Sequence, residues 1–151
     1  EGAHTTFAIL AIPAEQTLYI YPKQGVPLKF ETRTGQWLEY VEDEPCTAIQ
    51  VGLSQSSQGR SKYAEYLDIL KQQVEVVEFK AGSAYKFCMM LEGKVDIYPR
   101  FHPTSEWDTA AGQAILEAAG GAVTDLAGTP LTYGNSALNF KNPSFLAHGR
   151  R

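Results

Sequence analysis

The stretch Trp107-Asp108-Thr109-Ala110-Ala111-Gly112 sets one acid at the mouth of an alanine-rich helix. It follows Tyr98-Pro99-Arg100-Phe101, which reads as a basic strand end. A carboxylate is an oxygen ligand for a hard cation such as Mg²⁺, and small residues let the helix backbone come close to its neighbours. Together these make a place to hold a metal ion next to a phosphate. A plainer reading fits the same residues: Ser105-x-x-Asp108 matches a capping box, and an acid there suits the helix dipole. The two readings are compatible only if the carboxylate turns away from its own backbone.

A second group of residues could bind a phosphate. Gly82-Ser83 opens a predicted helix, and free N–H groups at a helix N-terminus attract anions. Ser83 also reads as an ordinary N-cap. Lys86, three residues on, is the only charge between Ser83 and Glu92, amid Tyr85, Phe87, Cys88, Met89, Met90 and Leu91. So isolated a lysine needs a partner or a route to water, which snorkelling would supply. Arg100 offers a planar fork suited to phosphate, with a surface ion pair as the bland alternative. Lys86, Arg100 and Ser83 converge only if their elements are neighbours. His102 lies in the same loop as Asp108, near enough for substrate contact, although a loop histidine is the simpler reading. His4 and His148 have no acid or cysteine at ligand spacing, and Glu42, Asp43 and Glu44 read as a solvated acidic run.

These groups must be positioned by an α/β fold. The first forty residues carry strand signals at 5–12, 17–21, 27–31 and 36–41, a meander of hairpins. Glu42-Asp43-Glu44-Pro45 is the expected boundary between a unit at 1–45 and one at 46–151. Beyond it strands and helices alternate: strands at 47–53, 74–79, 94–98, 121–124, 130–133 and 144–147, helices at 61–73, 83–92 and 105–119. That order predicts a mixed or parallel sheet with helices on its faces. Ligands in such sheets sit at strand C-terminal ends, here the loops at 54–59, 80–83 and 99–107. On the last helix, Trp107, Ala111, Ala114, Ile115 and Ala118 fall on one stripe.

Composition narrows the partners. The 151 residues are 44% hydrophobic with net charge −4, which suits a soluble domain with its own core. No basic run exists to neutralise a long phosphate backbone, so a nucleic-acid polymer is excluded as partner, whereas a small anion needs only a local positive pocket. Cys46 and Cys88 follow no ligand spacing, and a reduced, cytoplasmic setting is expected. No apolar run approaches the roughly 20 residues of a membrane span.

The residues 107–112, followed by Ala119-Gly120-Gly121, resemble the C-terminal signature of the inositol monophosphatase superfamily of Mg²⁺-dependent phosphatases. Gly82-Ser83-Ala84-Tyr85-Lys86-Phe87-Cys88 and Tyr98-Pro99-Arg100-Phe101 are similar to its 3'(2'),5'-bisphosphate nucleotidase branch, the CysQ type. The resemblance runs from Thr6 to His148 and implies the C-terminal half of such an enzyme. It implies Asp108 as metal ligand and substrate neighbour, with Gly82, Ser83, Lys86 and Arg100 at the phosphates of adenosine 3',5'-bisphosphate, whose 3'-phosphate leaves to give AMP. It also implies Mg²⁺ as cofactor and a cytoplasmic place, leaving peripheral inner-membrane association open. The chain departs from the family in two ways. Ser54-Gln55-Ser56-Ser57 stands where Ser-Arg-Ser-His is common, and the Asp-Pro-x-Asp-Gly-Thr motif does not occur, so no catalytic residue is expected in this chain and it is expected to be inactive alone. The partner is then a missing N-terminal half or a second copy, as in a homodimer. An inositol monophosphatase-like activity, a non-catalytic nucleotide-binding module and an assembly fragment remain as alternatives.

Overall fold

The computed structural model describes residues 5–40, 47–55 and 60–149, with the side chain of Ser83 outside that description. Alternating β-branched and aromatic residues fold the first part into an antiparallel meander. It runs β1 (Ala8–Ile12), β2 (Thr17–Tyr21), β3 (Leu28–Glu31) and β4 (Gln36–Leu38), in that spatial order. Its register puts Leu10, Tyr19, Lys29 and Leu38 in one cross-strand row and Leu18, Phe30 and Trp37 in another. The first row faces inward, where Ala8 and Tyr19 are buried. The second and its neighbour row (Ile9, Ile20, Leu28) face outward, and Ile9, Leu28 and Trp37 are exposed there.

The remainder holds β5 (Ile49–Ser54), α1 (Arg60–Lys71), β6 (Val76–Ala81), α2 (Ser83–Leu91), β7 (Ile97–Arg100), β8 (Thr104–Ser105), α3 (Ala110–Ala118), β9 (Ala122–Asp125), β10 (Lys141–Asn142) and β11 (Phe145–His148). Five of these strands form one sheet in the order β6-β5-β7-β11-β9. β5 runs parallel to β6 and β7, and β11 antiparallel to β7 and β9, so the sheet is mixed, as the alternation predicted. Successive side chains of a strand point to opposite faces. Val51 and Leu53 of β5 pack with Tyr63 and Leu67 of α1, while a Cβ on Gly52 would meet the Lys86 side chain at 3.0 Å. Helix α1 therefore covers one face and α2 the other. Helices α2 and α3 form a layer between the two sheets: Phe87, Met90 and Leu116 pack with Tyr98, Val123 and Phe145, while Cys88, Ala114 and Ile115 pack with Ala8 and Tyr19.

Two element expectations are corrected, and one strand pair was not foreseen. The helix expected over 105–119 breaks at Thr109: a 3₁₀ turn (Glu106–Asp108) precedes α3, because Thr109 has φ −123° and is bonded by the Asn142 amide at 2.9 Å. Trp107 accordingly leaves the buried stripe and is 70% exposed. The strand expected at 130–133 is only a single bridge between Thr124 and Pro130. The short pair β8–β10 had no distinct sequence signal. The boundary expected at 45/46 lies outside the described residues, as do His4, the acids 42–44, Cys46, Ser56 and Ser57.

Candidate functional site

Helices α2 and α3 run side by side in the same direction. Phe87, midway along α2, lies against Gly112 near the start of α3, where an added Cβ would stand 2.2 Å from the ring. At the other end Leu91 lines a common cavity with Ala118 and Ala119. Both N-termini therefore point to one end of the molecule. Gly82 stands there as N-cap of α2 with extended backbone (φ −61°, ψ 157°), and nothing lies within 4 Å of the place a Cβ would take. Open space above free helix N–H groups is what an anion requires. Ser83 is the first helical residue.

Lys86 does not snorkel. It is 0% exposed, its ammonium donates to the Ala81 carbonyl at 2.7 Å and the Gly82 carbonyl at 3.1 Å, and it stands 4.3 Å from the centre of the Tyr98 ring. Burial, with the nearby Arg100 cation, lowers its pKa to about 7. Desolvation disfavours the charged form, and a like charge adds to it. Gly52 makes room for this side chain.

Arg100, at the end of β7, is also buried, and it makes no ion pair among the described residues. Its Nη1 donates to Ser54 Oγ at the end of β5, 3.0 Å away, while its Nε has no hydrogen-bond partner. Lys86 and Arg100 thus approach one another without a carboxylate between them, and both lie near the ends of parallel strands.

Asp108 is exposed, and the capping box is formed: its Oδ2 accepts the Ser105 N–H at 2.9 Å while the Ser105 side chain accepts the Asp108 N–H. The local reading is therefore realised for one oxygen of the carboxylate. As an oxygen donor at the surface it suits one position around a hard cation. Among the described residues no group of three or more acids, histidines or cysteines could hold a metal by itself. A metal at Asp108 would need further ligands, and the other described residues do not supply them.

The loop beside Asp108 is clamped by contacts that the sequence did not announce. The buried Glu106 carboxylate accepts the N–H groups of Gly134 and Asn135, at 2.7 and 3.0 Å. The Asn142 amide donates to Thr104 Oγ1, the Ser105 carbonyl and Thr109 Oγ1. An acid and an amide each about thirty residues from their partners leave no local spacing to read.

A groove of about 490 Å³ opens next to Ser54, between the ends of β5 and β6 and helix α1; Gln55, Arg60, Tyr63 and Lys80 line it. Tyr63 also holds the strand end, its hydroxyl accepting the Phe101 N–H at 3.2 Å. No helix among the described residues is long and apolar enough to cross a membrane.

Comparison with known proteins follows this geometry. The model of the "Inositol monophosphatase family" matches residues 5–150. The 3'(2'),5'-bisphosphate nucleotidase CysQ of Escherichia coli K12 is 46% identical over 82 residues, which are 54% of this chain and 33% of that protein. A Rhizobium leguminosarum protein encoded in the pss 5' region is 55% identical over 74 residues, 46% of this chain and 78% of that one. The crystal structure of CysQ from Bacteroides thetaiotaomicron superposes with a TM-score of 0.84 at 27% identity, covering 99% of this chain and 59% of that one. The chain thus spans little more than half the length of that solved relative.

Proposed function

The chain belongs to the inositol monophosphatase family, and from that membership we propose that it is the C-terminal part of a Mg²⁺-dependent 3'(2'),5'-bisphosphate nucleotidase. The substrate on this reading is adenosine 3',5'-bisphosphate, and the products are AMP and phosphate. Residues 1–45 would be the remnant of a larger antiparallel sheet and 46–151 the C-terminal α/β domain. The observation that carries the reading is the pair of buried basic side chains, Lys86 and Arg100, neither of which meets a carboxylate among the described residues. Such a pair is suited to a ligand with several negative charges. The 46% identity to the E. coli nucleotidase supports the same substrate class.

On this reading each residue has a role that its position supports. The N–H groups at the start of α2, with Gly82 and Ser83, receive phosphate oxygens. Arg100 gives directional donors to a phosphate. Lys86 sets the field behind the helix start, and its ammonium fixes the Ala81 and Gly82 carbonyls. Asp108 would offer one carboxylate oxygen to Mg²⁺, whose chemistry when bound would be to activate water and to stabilise the attacking and leaving oxygens. No described residue supplies the remaining ligands, so the isolated chain is expected to bind nucleotide without turning it over.

Phosphate release from adenosine 3',5'-bisphosphate by the purified chain with Mg²⁺ tests this. No release, with binding that is stronger for the bisphosphate than for inositol monophosphate, is the expected result. Equal binding of the two would favour an inositol phosphate substrate, and full turnover by the homogeneous chain would overturn its inactivity. The outward rows of the meander, with Ile9, Leu28 and Trp37 exposed, support assembly with a second copy or with a polypeptide supplying the absent part. A mass by light scattering that stays monomeric at high concentration would sink the second-copy alternative.

A further inference from the structure

Arg100 and His102 flank Phe101 at the end of β7. Both are more than nine-tenths buried, at 8% and 7% exposure. Three of their nitrogens, Arg100 Nε and both ring nitrogens of His102, have no hydrogen-bond partner among the described residues. The Pro103 carbonyl acts on the imidazole without forming a hydrogen bond of good geometry. Buried polar atoms are nearly always satisfied, because leaving them bare forfeits their hydration. Unsatisfied nitrogens on two neighbouring side chains mark a place where a partner from outside the chain belongs.

The chemistry of that partner follows from its surroundings. Burial, then the Arg100 cation, with a smaller part from Lys86, holds His102 below the ordinary histidine range. The charges acting on it are therefore positive, from β7 and α2, while α1 contributes the Tyr63 ring with centroids 6.1 Å apart. A neutral imidazole keeps one N–H donor, and Arg100 Nε–H is a second. Two donors in a positive field match an oxyanion. Ser54, bonded to Nη1 at 3.0 Å, holds the guanidinium in place.

We propose that His102 is a specificity-determining residue of an oxyanion subsite at the end of β7, where its ring N–H and Arg100 Nε–H together hold the phosphate that is not transferred. The assignment rests on the bisphosphate reading for which phosphate occupies the subsite; the oxyanion chemistry does not. Binding an anion there favours the protonated imidazole, so His102 takes up a proton as the ligand enters.

The test is an NMR pH titration of His102 in the 151-residue chain, first with inorganic phosphate as probe, then with adenosine 3',5'-bisphosphate, 5'-AMP and 3'-AMP. Phosphate is expected to move the His102 midpoint upward, and Arg100→Ala to abolish that movement. His102→Asn is expected to weaken the bisphosphate and 5'-AMP by about tenfold, the loss of one hydrogen bond to a charged group, and to leave 3'-AMP unchanged. If no anion moves the midpoint, the subsite is refuted without any variant having to fold. Equal weakening of all three nucleotides, or of none, removes His102 as a specificity residue. If inorganic phosphate moves the midpoint but no nucleotide binds better than phosphate itself, the subsite stands and the nucleotidase reading fails.

Discussion

Helices α2 and α3 start at the same end of the molecule and touch at Phe87 and Gly112, yet α2 hides its charge and α3 displays one. Lys86 is wholly enclosed by carbonyls and an aromatic face, while Asp108 stands at the surface with one oxygen tied to its own turn. The difference lies in what surrounds each start. α2 is the middle layer of the fold, with β5 and β7 behind it, so a cation there is desolvated and fixed in position. The turn before α3 borders solvent, so its acid costs little and remains available. A phosphate site benefits from both: a basic group held in place, which an arriving anion would favour in its charged form, and an acid free to take a cation.

The sharpest way to break the comparison is to separate the two starts. Gly112→Ala places a Cβ 2.2 Å from the Phe87 ring. Overpacking of this kind costs about 3 kcal/mol or prevents folding, and Phe87→Leu in the same chain should recover part of the loss. Urea unfolding of the single and double variants measures it. No destabilisation by Gly112→Ala would mean that the helices are not held together at this point.

Glu92 closes the other end of α2 and tests whether charge can be buried there as well. Its carboxylate accepts Tyr19 OH at 2.5 Å, Lys94 Nζ at 2.7 Å and Lys29 Nζ, which joins the meander to the helix. Burial pushes its acid upward, but the hydrogen bonds from Lys29, Lys94 and Tyr19 outweigh this and hold it at about 2. A carboxyl depressed in the folded state stabilises above its unfolded pKa, so this contribution is complete above roughly pH 5 and fades as pH falls toward 2. Glu92→Gln should cost about 2 kcal/mol at neutral pH and flatten the acid limb of the stability curve. An unchanged acid limb would show that the network contributes nothing.

How much of this could be read from residues alone differs between the two helix starts. The meander, the alternation after residue 46 and the strand ends were legible because hydrophobic period and turn residues are local signals. Gly82, Lys86, Arg100 and Asp108 were legible as candidates for the same reason. Their setting was not: the lone Lys86 suggested a route to water, and the fold encloses it instead. Tyr98 and Gly52 decide that outcome, and they lie twelve and thirty-four residues away along the chain. Glu92, Glu106 and Asn142 likewise meet partners on distant elements, so no spacing could reveal them. The break at Thr109 was hidden because the capping box and the helix after it read as one continuous pattern.

Lys86 offers a test with a direction. In the folded chain its ammonium loses its proton near pH 7, whereas unfolded it keeps the proton until near 10.5. Between those values the unfolded state holds more protons, so stability rises with pH, by at most about 1.4 kcal/mol per unit. Lys86→Met removes the titrating group while preserving length, so the variant should lack the rise that the parent shows from about pH 7 to 8, below the range where the raised Cys88 thiol lowers the stability of both. Parallel curves would show that the lysine keeps its ordinary pKa and is better hydrated than its enclosure implies.

The smallest effect on stability belongs to the displayed acid, and there the two helix starts should part most clearly. Asp108→Asn keeps an oxygen that can accept the Ser105 N–H and loses only the charge at the turn. The expected cost is below about 1 kcal/mol, the range of a helix-terminus charge at an exposed position. If Asp108 is a ligand, the same change should abolish any Mg²⁺-dependent increase in bisphosphate affinity while leaving the metal-free affinity intact. Ser105→Ala separates the two roles: it removes the hydroxyl from the capping box, costs about 1 kcal/mol, and should leave the Mg²⁺ response in place. A Mg²⁺ response that survives Asp108→Asn, or one that is lost equally with Ser105→Ala, would make Asp108 a helix cap and nothing more.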